Sequence, residues 1–73
     1  MAPRLTKAFT VAYDKDADAA YIHLRPIAPG DAVSTISVHV PHGSISLDID
    51  REGRIIAIEV LQASAVLPAS VLS

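Results

Sequence analysis

The sequence predicts a small, mainly β protein of the α+β class: an antiparallel sheet of about five strands with a short C-terminal helix. Three observations lead there. Apolar residues alternate with a period of two in successive short stretches. Clusters of Gly, Pro and Asp separate those stretches where turns are needed. The large apolar residues are mostly β-branched, with eight Ile and seven Val against six Leu in 73 residues. The length allows one domain, residues 1–73, with the sheet in 7–61 and a helical tail in 62–73.

The first strand is predicted over 8–13, where Phe9, Val11 and Tyr13 share a face. Asp14, Asp16 and Asp18 then make a polar turn, with Asp14 placed to cap it. The second strand, 20–24, sets Ile22 and Leu24 against Tyr21 and His23. Pro26, Pro29 and Gly30 mark a loop. Residues 33–40 form the third strand, with Ile36, Val38 and Val40 expected inward. After the reversal at Pro41-His42-Gly43, residues 44–49 alternate most cleanly: Ile45, Leu47 and Ile49 on one face, Ser44, Ser46 and Asp48 on the other. Asp50 and Gly53 bracket a hairpin in which Asp opens a type I turn and Gly takes the left-handed position beside a bulge. The fifth strand, 54–61, has Ile55 and Ala57 on one side and Ile56, Ile58 and Val60 on the other, the pattern of a central strand. In the tail, Pro68 suits the start of a short helix, with Val66, Leu67, Val71 and Leu72 as its apolar side.

Size limits what such a sheet can do alone. A chain this short gains only about 3–5 kcal/mol from a single core. With no cysteine, neither disulfides nor thiolate metal sites can supplement it. Oligomerisation is the remaining remedy, so a homodimer or larger assembly, or an obligate partner, is expected. The fifth strand supplies its candidate surface: Ile55, Ile56, Ile58 and Val60, joined by Leu67, Val71 and Leu72 of the tail. The net charge of −2 and the six scattered basic residues argue against nucleic-acid binding. No stretch is long and apolar enough to span a membrane, and the N-terminus does not read as a signal peptide. A cytoplasmic location is expected.

The acidic residues are the one clustered polar feature, and they raise a metal question. Asp48-Ile-Asp50-Arg-Glu52-Gly53, with Glu59 further on, nearly fits the calcium loop D-x-[DN]-x-[DN]-G-x5-E. That loop wraps an ion between two helices, and both flanks here read as strands. A hairpin turning at Arg51 and Glu52 puts Asp48 across from Ile55 or Ile56. Glu59 is then roughly 10–13 Å away at ~3.3 Å per residue. The metal reading of Asp48, Asp50 and Glu52 therefore stands only as the alternative, a divalent-cation or small-ligand site built if the two Asp-rich turns meet. Asp14, Asp18, Asp50 and Gly53 are read first as turn residues. His23, His39 and His42 do not have a spacing that converges on zinc. There is no nucleophile elbow and no Gly-rich phosphate loop, so no cofactor and no enzymatic activity are expected.

Taken together, Tyr13-Asp14-Lys-Asp-Ala-Asp18-Ala19-Ala-Tyr21-Ile22, the run from Leu47 to Ser64, and Leu67-Pro68 resemble the bacterial domain-of-unknown-function family 2283. The resemblance extends from about Phe9 to Leu72. Ala20 stands where a bulkier apolar residue is usual, and Gln62 where Asp is frequent. The resemblance implies a small protein with no established activity and no catalytic residues to carry over. It also implies a possible antitoxin-like role beside a small toxin-like protein, whose basic surface would suit an acidic partner.

Overall fold

The structure, a computed structural model, describes residues 3–73. Its elements are β1 (Val11–Asp14), β2 (Ala19–His23), β3 (Ser34–Val40), β4 (Gly43–Ile49) and β5 (Ile55–Leu61), followed by two four-residue helices, α1 (Ala63–Val66) and α2 (Ala69–Leu72). All pairings are antiparallel and the order is β1-β2-β5-β4-β3. The Ile-rich last strand is central, as its apolar pattern predicted.

The turns follow local chemistry. Asp14 Oδ1 accepts the amides of Asp16 and Ala17, closing the β1–β2 turn. Asp50 Oδ1 accepts those of Glu52 and Arg54, and Gly53 takes φ 82°, the left-handed value that only Gly adopts without a Cβ penalty. The Gly53 amide donates to the Asp50 carbonyl at 3.0 Å and the Asp50 amide to the Arg54 carbonyl at 2.9 Å, the expected type I turn with Gly53 as its bulge. A second bulge, not expected, lies further into the strands. Asp48 pairs with Ala57 but Ile49 with Ile55, so Ile56 is the extra residue. This corrects the sequence register, which set Asp48 opposite Ile55 or Ile56.

The bulge also corrects the facing of β5. Ile55 joins Ile49, and the side opposite Ile58 and Val60 carries Ala57, Glu59 and Leu61. That side is not the second greasy face that the sequence pattern predicted. The tail differs too. The chain leaves β5 through Gln62, at φ 52°, and enters α1 at once. Leu67 is extended, and Pro68 restarts the backbone as the N-cap of α2.

Candidate functional site

Antiparallel partners point to the same side of a sheet. The register therefore lays out each face row by row. One row is Val11–Ile22–Ile58–Leu47–Ile36, running across all five strands. The next is Tyr13–Ala20–Val60–Ile45–Val38. Apart from the Tyr13 hydroxyl, these two rows are hydrocarbon from edge to edge. The opposite face has the rows Ala12–Tyr21–Glu59–Ser46–Ser37 and Asp14–Ala19–Leu61–Ser44–His39. Its outer rungs are tied by hydrogen bonds: the Thr35 hydroxyl donates to Asp48 Oδ1 at 3.0 Å, and the Ser37 and Ser46 hydroxyls lie 3.2 Å apart.

The tail covers only one side of the apolar face. Ala20, Val60 and Ala63 form the buried centre, with Tyr13, Ile58, Val66, Leu67 and Leu72 packed around them. On the β3–β4 half, α1 reaches β4 at Gly43 and β3 has no such cover. Ile36 is 50% exposed and Val38 46%, and Ile45, Leu47 and Ile49 are only partly buried. Ile36 and Val38, expected inward, are on the correct face. They are exposed because nothing is layered over it.

The interface candidates divide accordingly. Ile56 and Val60 are 2% exposed and have no surface left to offer a partner. Ile58, Leu67 and Leu72 are partly buried around the core. Ile55 and Val71 remain open. The richer open set, Ile36, Val38, Ile45 and Leu47, lies on strands that the sequence reading did not single out. No local signal marks it, because exposure here depends on strand order.

One anchor holds the tail in place. Asp18, at φ 50°, accepts the Tyr13 hydroxyl and the Ser64 amide on Oδ1, at 2.7 and 2.9 Å, and the Ser64 hydroxyl on Oδ2 at 2.7 Å. Its carbonyl accepts the Ala63 amide at 2.9 Å. The hydrogen bonds from Ser64, then Tyr13, hold the Asp18 carboxyl below the usual carboxylate range. The same bond to Asp18 pushes the Tyr13 phenol up. By sequence Asp18 is a turn residue. It also caps α1 from 46 residues away.

The metal candidates do not converge. Asp48 is engaged by Thr35, and Asp50 is folded into its own turn with Arg25 Nη2 3.7 Å from Oδ2. The Arg54 amide, ahead of Glu52 and Arg25, lowers the Asp50 carboxyl against its desolvation. Arg25 also pairs with Asp31 at 3.1 Å, so the charges lining the shallow depression beside Gly30 largely satisfy one another. Among the described residues, no group of three His, Cys, Asp or Glu side chains is placed to hold a metal ion. No helix of the described residues is long and apolar enough to cross a membrane.

Residues 10–64, more than half of the chain, match the model of the family described as "Protein of unknown function (DUF2283)". The chain belongs to this family. The DUF2283 match starts just before β1 and ends at Ser64, the residue that Asp18 anchors, so it takes in the whole sheet and leaves α2 outside. No curated protein and no solved structure matches the chain.

Proposed function

We propose that this protein is a self-associating interaction module, and that the open β3–β4 half of its apolar face packs against a second copy. The carrying observation is the β3–β4 end of the two hydrocarbon rows, where Ile36 and Val38 are about half exposed and Ile45 and Leu47 only partly buried. Surface area supports it. The chain exposes 5582 Å², whereas a compact 7.7 kDa protein exposes roughly 4,300 Å². The extended, exposed segment before β1 accounts for part of the excess, and the single-layered sheet for the rest. The radius of gyration tells the same story, at 13.6 Å against roughly 11 Å for a compact chain of this length. A standard interface takes about 800 Å² from each partner, which the excess can supply. An antitoxin-like role would place a different, basic protein on the same face.

The test is Leu47→Lys, in the middle of the open row. For the wild type we expect a dimer or larger by light scattering, and a melting temperature that rises with protein concentration. In the variant we expect the native mass to fall and the concentration dependence to weaken. A wild type that stays monomeric and melts independently of concentration overturns self-association and leaves the face to another protein.

A further inference from the structure

A second surface lies at right angles to that face. β3 is an edge strand of seven residues, and six of them are exposed. Its free peptide groups can be assigned. The Leu24 amide donates to Ile56 O at 2.9 Å, so the Ile56 carbonyl points toward β2. Alternation then turns the peptide groups of Ala57, Glu59 and Leu61 toward β4. Their partners Asp48, Ser46 and Ser44 face back, which leaves Ile45, Leu47 and Ile49 to bond β3. The Val33 amide donating to Ile49 O at 2.9 Å agrees. In β3, therefore, Ser34, Ile36, Val38 and Val40 bond to β4, while Thr35, Ser37 and His39 point N–H and C=O into solvent.

Exposed edges are normally blunted by charge, proline, a bulge or a covering element. β3 reads Ser-Thr-Ile-Ser-Val-His-Val, with no acidic residue, Lys, Arg, Pro or Gly. Its register with β4 runs without a shift. The other edge is managed: β1 has four residues, ends in Asp14 and has α2 against it.

We propose that β3 pairs antiparallel with β3 of a second copy, with the two-fold axis at Ser37, to make one continuous sheet. Self-complementarity selects the copy and the register. With Ser37 opposite the partner's Ser37, Thr35 meets the partner's His39 at both ends, and all three outward residues of each strand are satisfied. A centre at His39 would set Ser37 against Pro41, which has no N–H, and a centre at Thr35 would set it against Val33, whose N–H is already used. The Ser37 register also places Ile36 beside the partner's Val38. The apolar row of one copy then runs into Val38–Ile45–Val60–Ala20–Tyr13 of the other. This contact does not depend on the face-to-face one, and each can be lost without the other.

The chain has no cysteine, so cross-linking is a clean test. Ser37→Cys puts two thiols on residues whose Cα atoms are about 5.5 Å apart in a hydrogen-bonded pair, within disulfide reach. Ser46→Cys lies on the same polar face one strand inward, and its two copies would be about 14 Å apart across three strand spacings, beyond reach. At micromolar protein under mild oxidation, Ser37→Cys should form the covalent dimer about a hundredfold faster than Ser46→Cys, because the paired thiols are held at millimolar effective concentration. Equal rates, whether both fast or both slow, overturn the proposal. Ser37→Pro is the companion variant. It removes an N–H that β4 does not use, so the fold should survive by circular dichroism while the native mass halves. A folded Ser37→Pro protein of unchanged mass counts against edge pairing, even where Leu47→Lys has abolished the face contact.

Discussion

Gly43 is where the sheet and the tail come closest, and replacing it with alanine tests how rigidly that junction is built. Gly43 opens β4, pairs with Val40 and lies beside the exit from β5. A Cβ there would sit 2.5 Å from the Leu61 carbonyl oxygen, 2.7 Å from Val66 Cγ2 and 3.1 Å from Gln62 Cβ. The Val66 methyl can swing away. The Leu61 oxygen belongs to the central strand, where Leu61 is paired with both Ser44 and Ala19, and cannot move without disturbing those pairings. Overpacking of this kind costs about 1–3 kcal/mol. At about 4–8 °C per kcal/mol for a domain of this size, a cost of about 2 kcal/mol lowers the melting temperature by roughly 8–16 °C. The sign is informative. Where the backbone tolerates it, Gly→Ala stabilises by about 0.4–1 kcal/mol through the unfolded state. The assay is thermal unfolding followed by circular dichroism, at one fixed protein concentration so that association does not shift the midpoint. Adding Val66→Ala should recover only part of the loss, because the clash with the Leu61 oxygen remains. A Gly43→Ala melting temperature equal to or above the wild type would refute the close approach of the Leu61 carbonyl to Gly43.

Val60→Ala removes two methyl groups from the largest fully buried side chain and should cost about 2 kcal/mol in denaturant unfolding, while leaving association unchanged because Val60 offers no outer surface. Asp18 makes the tail acid-sensitive. Its folded pKa lies below the unfolded value of about 3.9, so its contribution is complete above that pH and is lost as pH falls through the folded pKa. Protection of the Ala63 and Ser64 amides, measured against the intrinsic exchange rate at each pH, should therefore fall below about pH 4 in the wild type, and Asp18→Asn should show the reduced protection already at neutral pH. Slow exchange of both amides in that variant at pH 7 would mean that packing alone holds α1.

Strands that alternate with well-defined turn chemistry could be read directly. β4 announces itself by Ile45, Leu47 and Ile49 against Ser44, Ser46 and Asp48, and the Asp50–Gly53 turn by its residue types. Each depends on neighbours within a few positions. The bulge at Ile56 does not. It exists because β5 must match β4 on one side and β2 on the other, and it decides which isoleucine faces which way. A strict period-of-two reading carries Ile55 to the wrong face for that reason. The tail anchor was equally hidden: Asp18 and Ser64 are far apart in the chain, and only the β2–β5 pairing, with Ala19 opposite Leu61, brings the two turns together.

The open surface shows the same limit from the other side. In sequence, β3 and β5 are both rich in β-branched residues, and β5 looks the greasier and so the better contact surface. Topology reverses that ranking. β5 is central, with a strand on each flank and α1 leading out of it, and its best apolar residues are consumed by the core. β3 is last in the order, reached through a loop from β2, and keeps half of Ile36 and nearly half of Val38 in water. An apolar strand at an edge has two unmet needs, a cover for its face and partners for its peptide groups. The central strand has neither. That difference in place, not in composition, is why we propose the β3–β4 half as the contact surface, and why Leu47→Lys and Ser37→Cys probe the proposal on two separate axes.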